Sequence, residues 1–358
     1  MKFLKGSRAR MIIGIMLSIV VILVIAGVAF MNQPSFGRAP RGERLERIKK
    51  SPHYKDGKFH NLHPTLMMTS RKGRFGTMWD FLFKKEKGVR PDKEIPVIKT
   101  DLNKLAGNDN VLVWFGHSSY FIQIDGKRIL VDPVFCTAAP VSFVNKPFRG
   151  TDVYHPADMP YIDYLVITHD HWDHLDYYTI KQLKNRVGKV VCPLGVGEHF
   201  EYWGFDKERL VELDWFEDAT LNEHCLPARH FSGRSFNGNQ TLWASYLIET
   251  PSQKIFMGGD GGYDTHFAEI GRKYPDINLA ILENGQYNED WKYIHTLPKY
   301  LGQVARDLNA GKVLTVHHSK YALARHPWDE PLKNAMDLKN KDSLDVLIPV
   351  IGEVVRWN

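Results

Sequence analysis

Short apolar runs bounded by turn residues recur along the chain from residue 111 onward. Many of them are rich in Val, Ile and aromatic residues, a composition typical of β-strands. The runs that predict strands are 111–115, 119–124, 128–133, 164–168, 189–193, 209–213, 243–250, 254–259, 279–283, 312–317 and 346–355. The segments that predict helices are roughly 175–187, 265–274, 298–309 and 328–338. Strand clusters with interspersed helices predict an α+β fold of two sheets with helices outside them.

One apolar run is much longer than a strand requires. Residues 11–31 contain no charged side chain, and about 20 apolar residues in a helix span a hydrocarbon core of about 30 Å. The run therefore predicts a single transmembrane helix. A cleaved signal peptide is the alternative, but its apolar region is usually only about 7–15 residues long. The predicted organisation is an anchor over residues 1–32, a juxtamembrane linker over 33–56 and one domain over 57–358.

The positive charge of the chain is concentrated at its N-terminus. The net charge is +6, but the first 50 residues carry ten basic and two acidic side chains, so the remaining residues sum to −2. Basic residues that flank an apolar helix indicate a membrane surface as partner. A near-neutral domain argues against a nucleic acid, whose binding depends on Lys and Arg. The short basic N-terminus favours an extracytoplasmic domain, although Lys and Arg flank the helix on both sides.

Four residues that can bind metals lie within six positions directly after the predicted strand 164–168. They are His169, His171, Asp173 and His174. Imidazole nitrogens and carboxylate oxygens suit Zn²⁺ and similar ions. Alternate residues of an extended stretch point the same way, so His169 and His171 are expected to bind one ion. Asp173 and His174 are expected to turn towards a second ion.

Further candidates follow apolar runs downstream. His230, Asp260 and His317 each come just after such a run. His317 is preferred to its neighbour His318 because adjacent strand residues point to opposite faces. His295 is a candidate acid for the leaving group, since an imidazole titrates near neutral pH.

The loop His-x-His-x-Asp-His after a strand resembles the hallmark of the metallo-β-lactamase superfamily. Over residues 58–355 the chain more closely resembles the family of N-acyl-phosphatidylethanolamine-hydrolysing phospholipase D and its bacterial relatives. The matching stretches include VWFGHS (113–118), VDPVF (131–135), THDHWDHLDY (168–177), GDGGYD (259–264) and WKYIH (291–295). The chain departs from that family at residues 318–320 and in its long apolar anchor.

The resemblance implies a four-layer αβ/βα sandwich that holds two divalent metal ions, preferably Zn²⁺. By this resemblance the first ion is bound by His169, His171 and His230, and the second by Asp173, His174 and His317. Asp260 bridges them. The resemblance also supports a catalytic role for His295, and Asp173 is expected to take part in catalysis as well as to bind the second ion. Asp132 ends a strand and is expected to hydrogen-bond a ligand histidine, or else to cap the turn.

These observations predict a metal-dependent hydrolase in which a bridging hydroxide attacks a phosphodiester bond of a phospholipid. One alternative is a hydrolase of the same fold that acts on a lactone, a thioester or a soluble phosphodiester. A second is a non-catalytic membrane protein that binds metals. The expected partners are a lipid or small-molecule phosphodiester and a membrane. The sequence leaves the oligomeric state open.

Overall fold

The computed structural model of the chain describes residues 2–70, 72–73, 76, 79, 84, 86–219 and 223–357. The described α-helices are α1 (Lys2–Met31), α2 (Gly42–Ile48), α3 (Tyr177–Leu183), α4 (Gly197–Tyr202), α5 (His266–Lys273), α6 (Pro298–Asp307) and α7 (Glu330–Asn340). The described strands are β1 (Tyr54–Lys55), β2 (Lys58–Phe59), β3 (Val111–Trp114), β4 (Tyr120–Ile124), β5 (Lys127–Val131), β6 (Ile162–Val166), β7 (Val187–Pro193), β8 (Leu210–Leu213), β9 (Glu223–Leu226), β10 (Ser245–Glu249), β11 (Lys254–Met257), β12 (Ile277–Glu283), β13 (Ala310–Val316), β14 (Val346–Leu347) and β15 (Val354–Val355).

Two mixed sheets form the centre of the molecule. The seven-stranded sheet has the order β15-β3-β4-β5-β6-β7-β8, and the six-stranded sheet has the order β14-β13-β12-β11-β10-β9. In each sheet an antiparallel meander is followed by parallel strands: β5 to β8 are parallel in the first, and β11 to β14 in the second. Helices connect most of the parallel strands, as such crossovers require.

Three apolar layers separate the four layers of secondary structure. The central core lies between the sheets and combines, for example, Ile122 and Val131 with Tyr246 and Ile281. A second core packs α3 and α4 against the seven-stranded sheet, and a third packs α5, α6 and α7 against the six-stranded sheet. The predicted α+β architecture, a four-layer αβ/βα sandwich, is confirmed.

Most of the predicted elements agree with the observed ones. All four predicted helices are present, with shifted ends. The prediction of a single strand over 346–355 is wrong. β14 pairs with β13 in one sheet, whereas β15 pairs with β3 in the other. The apolar pattern did not predict the short helices α2 and α4, the two-residue strands β1 and β2, or β9, whose residues Glu-His-Cys-Leu lack a continuous apolar run.

Residues 33–56, predicted to form a linker, are folded onto the rest of the chain. Phe36 and Ile48 are buried there. Arg44 forms ion pairs with Glu198 at 2.5 Å and with Glu212 at 2.6 Å. Burial of these side chains ties the segment to α4 and β8, so it is not an extended tether.

Helix α1 contains the predicted membrane-spanning run. The most apolar 18-residue window within residues 10–31 has a mean hydropathy of 3.1, and none of it is buried against the rest of the described chain. Its length and composition suit a membrane anchor, and they suit a signal sequence as well.

Candidate metal centre

The strand ends determine where the candidate ligands lie. β3, β5 and β6 run in the same direction, as do β11, β12 and β13. Their carboxyl ends are followed by short loops that carry the polar residues of interest. These residues are His117 after β3, Asp132 after β5, His169 to His174 after β6, Asp260 after β11, and His317 after β13. Ligand sites commonly form at such an edge.

All seven predicted metal ligands lie together. His169 Nε2 is 2.8 Å from His171 Nδ1, which is 3.2 Å from His230 Nε2. One ring nitrogen from each of these three residues lies within 4.8 Å of the others, which is a spacing that one ion can bridge. The structure thus brings together the trio predicted for the first ion.

The trio predicted for the second ion lies beside the first. Asp173, His174 and His317 offer ligand atoms within 4.8 Å of one another. Asp260 lies between the two groups: its Oδ2 is 3.2 Å from His174 Nε2 and 3.8 Å from His230 Nε2, and its Oδ1 is 3.3 Å from His317 Nδ1. This position suits a bridging carboxylate.

Asp132 lies behind His174. Its Oδ2 is 2.7 Å from His174 Nδ1 and accepts a hydrogen bond from the Thr168 hydroxyl at 2.6 Å. Its Oδ1 accepts one from the Thr168 backbone N–H at 2.8 Å. A carboxylate at Nδ1 fixes the ring orientation and leaves Nε2 free to bind a metal.

Burial and mutual proximity shift the pKa values of these side chains. Burial, reinforced by neighbouring histidines, holds the pKa of His169 well below its usual value, which favours the neutral, metal-binding form. Burial also lowers the pKa of His174, but Asp260, Asp173 and Asp132 outweigh it and raise that pKa well above normal. Burial raises the pKa of Asp260, yet His174 and His317 hold it well below its usual range. The Asp260 carboxylate thus remains ionised and attracts cations.

Two buried atoms of the cluster support the presence of a cation. Among the described residues, His174 Nε2 and Asp260 Oδ1 have no hydrogen-bond partner. Buried polar atoms without partners are rare and cost free energy. Both atoms belong to predicted ligands and face the cluster, so the residues fit a metal ion.

His295 lies at the edge of the cluster and is held by a residue that the sequence analysis missed. His295 Nδ1 is 4.0 Å from Asp260 Oδ2 and 2.8 Å from Glu283 Oε2. Burial raises the pKa of Glu283 to about 7. Burial lowers the pKa of His295, but Glu283 outweighs it and raises that pKa above its usual value. The pair therefore holds a proton near neutral pH.

His117 also belongs to the cluster, although its sequence context favours a structural role. Its Nε2 is 2.8 Å from Asp173 Oδ2, and it is completely buried. His117 follows a glycine at the end of an apolar run, so its position after a strand is the one sequence feature that indicates a place in the cluster.

The side chains of His317 and His318 point in different directions, but not because they alternate along a strand. β13 ends at Val316, and His317 has a φ of 68°, so the pair is not in a strand. The left-handed turn directs His317 into the cluster. His318 packs instead on Trp114, with ring centroids 4.8 Å apart.

A cleft of about 580 Å³ opens onto the cluster. His171, Asp173, His230, His295 and His317 contribute to its floor. Apolar side chains line the remainder, together with polar ones; the apolar members are Met67, Met68, Phe231, Phe236, Trp291, Ile294 and Leu323. Phe236 is 93% exposed. The cleft can accept a substrate with apolar and polar parts.

Comparisons with known proteins agree with this geometry. A family model described as "Beta-lactamase superfamily domain" matches residues 127–318, a range that includes all seven predicted ligands. An uncharacterized protein of Mycobacterium tuberculosis is 36% identical over 320 residues, covering 86% of this chain and 85% of that protein.

Two further matches concern proteins with descriptive names. N-acyl-phosphatidylethanolamine-hydrolyzing phospholipase D 1 of Caenorhabditis elegans is 28% identical over 269 residues, covering 67% of this chain and 74% of that protein. The structure of Igni18, a metallo hydrolase from the archaeon Ignicoccus hospitalis, matches with a TM-score of 0.53 at 20% identity, covering 69% of this chain and 98% of that one. The structural likeness concerns the fold.

Proposed function

The chain belongs to the beta-lactamase superfamily and is a metal-dependent hydrolase of the metallo-β-lactamase fold; from that premise we propose that it cleaves a phosphodiester bond of a phospholipid with two metal ions. The observation that carries this proposal is the convergence of seven candidate metal ligands from four separate segments, five of which line one cleft with apolar walls. A dinuclear centre stabilises both the attacking and the leaving oxygen of a phosphodiester.

The proposed ligands divide into two groups around Asp260. His169, His171 and His230 would hold the first ion, and Asp173, His174 and His317 would hold the second. Nitrogen and oxygen donors of this kind favour Zn²⁺. When bound, two such ions supply an activated water nucleophile and neutralise the charge of the phosphoryl oxygens.

The residues of the chain would orient the centre and protonate the leaving group. Asp132 holds the ring of His174 through Nδ1. Glu283 holds His295 through Nδ1 at 2.8 Å, which leaves Nε2 of His295 to donate a proton. His295 is therefore the proposed general acid, because its raised pKa keeps the proton available near neutral pH.

Two observations support a lipid substrate. The apolar side chains of the cleft suit acyl chains, and the relative from Caenorhabditis elegans is named for hydrolysis of N-acyl-phosphatidylethanolamine. We also propose that residues 1–32 anchor the chain in a membrane, that residues 33–56 join this anchor to a hydrolase domain over 57–358, and that the domain lies on the extracytoplasmic side.

The test is hydrolysis of vesicles that contain N-acyl-phosphatidylethanolamine by the full-length chain in detergent. We expect release of phosphatidic acid that stops with a chelator and returns with Zn²⁺. Asp260→Asn should lower the rate by at least about 100-fold, because it removes the carboxylate shared by both ions. Asp276→Asn is the matched control, because Asp276 is exposed and lies outside the cleft.

Other outcomes would identify the alternatives. Metal-dependent turnover of a soluble phosphodiester, a lactone or a thioester, without turnover of vesicles, would refute the lipid assignment and keep the hydrolase. Tight metal binding without turnover of any of these substrates would indicate a non-catalytic metal-binding protein.

A further inference from the structure

The segment between α1 and α2 contacts the loop that carries four of the candidate metal ligands. We call residues 34–38 the juxtamembrane segment and residues 168–174 the metal loop. The ring of Phe36 packs edge-on against Trp172 of the metal loop, with centroids 5.0 Å apart. Phe36 also packs on Phe30 in the last turn of α1, at 5.2 Å. Two aromatic contacts thus connect the apolar helix to the loop.

A buried histidine forms a second connection. His199 Nδ1 accepts a hydrogen bond from the backbone N–H of Arg38 at 3.0 Å. Its Nε2 lies 3.1 Å from Asp170 Oδ2 in the metal loop. Because Nδ1 accepts, the proton must be on Nε2, so the ring donates to Asp170. His199 therefore links the juxtamembrane segment to the residue between His169 and His171.

Both side-chain oxygens of Asp170 accept hydrogen bonds. Its Oδ1 accepts from the Gly233 backbone N–H at 2.6 Å, and its Oδ2 accepts from the Thr241 hydroxyl at 3.0 Å as well as from His199. A residue fixed in this way also fixes the peptide planes on both sides of it. Those planes carry the two neighbouring histidines proposed as ligands of the first ion.

A buried arginine forms a third connection. Arg234 donates to the backbone carbonyl of Ser35 at 2.8 Å and to that of Asp170 at 2.9 Å. Its guanidinium stacks on the ring of Trp172 at 3.9 Å. One rigid, planar group therefore joins the juxtamembrane segment to both the backbone and a side chain of the metal loop.

Gly37 makes this approach feasible. Its φ is +70°, and a Cβ atom at this position would lie 2.0 Å from His199 Nδ1. Any side chain here would displace either His199 or the juxtamembrane segment.

We propose that the juxtamembrane segment is part of the support of the metal centre, and that His199 is a positioning residue that transmits its location to Asp170. This inference rests on the metal centre of the proposed function. Removal of such outer hydrogen-bond partners typically costs about 10- to 100-fold in metal affinity. Metal affinity should thus depend on residues next to the apolar helix that contact no metal ligand directly.

The test is Co²⁺ titration of the full-length, metal-free chain in detergent, followed by the visible absorption of bound Co²⁺. The variants are His199→Asn, His199→Gln and Gly37→Ala. An Asn amide reaches the place of Nδ1 and keeps only the bond from Arg38, whereas a Gln amide reaches the place of Nε2 and keeps only the bond to Asp170. Gly42→Ala is the control for Gly37→Ala: its φ is +56°, but nothing lies within 4 Å of a Cβ there.

We expect His199→Asn and Gly37→Ala to weaken Co²⁺ binding by about 10- to 100-fold and to alter the absorption spectrum. His199→Gln should weaken it as well, because it loses the bond from Arg38 that links the juxtamembrane segment to Asp170. Gly42→Ala should stay within a few-fold of the wild type. Equal affinity and spectra for His199→Asn and the wild type would overturn the role of His199. Equal behaviour of Gly37→Ala and Gly42→Ala would overturn the role of the segment.

Failures of the two proposals are distinguishable. If the wild type binds Co²⁺ and the folded variants bind it equally well, only this inference is wrong. If the wild type binds no Co²⁺, the proposed metal centre is wrong, and this inference with it. If His199→Asn and His199→Gln both fail to fold, His199 is a folding residue and the inference is overturned.

Discussion

Three residues of the metal centre have left-handed backbone conformations. The φ angles of His117, Asp132 and His317 are 54°, 40° and 68°. For residues other than glycine such conformations cost of order 1–3 kcal/mol each and cluster at functional sites. Each lies directly after a strand, where the turn directs a polar side chain to the common edge of the sheets. The centre therefore depends on backbone geometry as much as on ligand identity.

The Glu283–His295 pair leads to a prediction about catalysis. Glu283→Gln removes the charge that holds His295, so we expect the turnover of the identified substrate to fall by at least about 10-fold. Complete loss of a general acid costs roughly 100-fold or more. In a His295→Ala background the same substitution should have little further effect, because both act through one proton transfer. The measurement is a double-mutant cycle in kcat.

Glu208→Gln, at an exposed position outside the cleft, is the control for that cycle. Additive losses from Glu283→Gln and His295→Ala would contradict the pairing, because independent residues act additively.

His266 leads to a prediction about pH. Burial lowers the pKa of this imidazole from its usual value of about 6.5 to about 4. The unfolded chain therefore binds a proton that the folded chain excludes, so stability falls as the pH drops from about 6.5 towards 4. The loss should reach about 2 kcal/mol at pH 5. His266→Gln should abolish this part of the loss when urea unfolding is compared at pH 7 and pH 5.

An unchanged pH dependence in His266→Gln would show that another group is responsible. The comparison uses the difference between two variants under the same conditions, so other histidines that titrate in this range cancel.

At the scale of elements, the neighbouring parallel strands β12 and β13 determine how the two halves of the centre meet. Glu283 at the end of β12 pairs with Val316 at the end of β13, directly before His317. The register thus places the partner of His295 and a proposed metal ligand at the same level of one sheet. The chain can approach so closely only because a glycine follows β12.

Gly285 provides a test of that register. A Cβ atom at Gly285 would lie 2.0 Å from the backbone oxygen of His317. Gly285→Ala should therefore displace the loop after β13, destabilise the fold by about 1–3 kcal/mol and reduce the amount of bound metal. Thermal unfolding with and without Zn²⁺, together with metal analysis, would measure both effects.

Gly107→Ala is the matched control, because nothing lies within 4 Å of a Cβ at that position. If Gly285→Ala retained full stability and full metal content, the register argument would be wrong.

At the scale of the whole molecule, the apolar helix and the metal centre are structurally connected. Phe30 of α1 packs on Phe36, and Phe36 packs on Trp172 in the loop that carries His169 to His174. An anchor in this position would keep the cleft close to the surface of a bilayer. The anchored chain would then reach the proposed lipid substrate while that lipid remains in the membrane.

Membrane attachment is testable directly. We expect the full-length chain to sediment with membranes and to resist extraction by high salt and alkaline carbonate. Three lysines in place of Leu17, Val21 and Val24 should release it, since a charged residue at the centre of a spanning helix costs about 2.5–3.5 kcal/mol. Mass spectrometry of the mature protein completes the test: a chain that begins after residue 29 would identify a cleaved signal and contradict the anchor.

Patterns in the sequence predict the fold class, most strands and helices, and most of the residues that gather at the candidate metal centre. These features depend on local information: apolar periodicity, and a strand followed at once by His-x-His-x-Asp-His. Three contacts follow from the folding of the whole chain: Glu283 holds His295, His117 contacts Asp173, and residues 34–38 pack against the metal loop. Each of these contacts joins residues that are far apart in the chain or in separate elements.

The run at 346–355 illustrates the physical reason. Its composition predicts extended backbone correctly, but strand propensity does not specify which sheet edge supplies the partner. β14 and β15 are distributed between the two sheets by the edges left open at β13 and β3. Local patterns thus determine which residues are extended or polar, whereas the pairing of distant edges determines which of them meet.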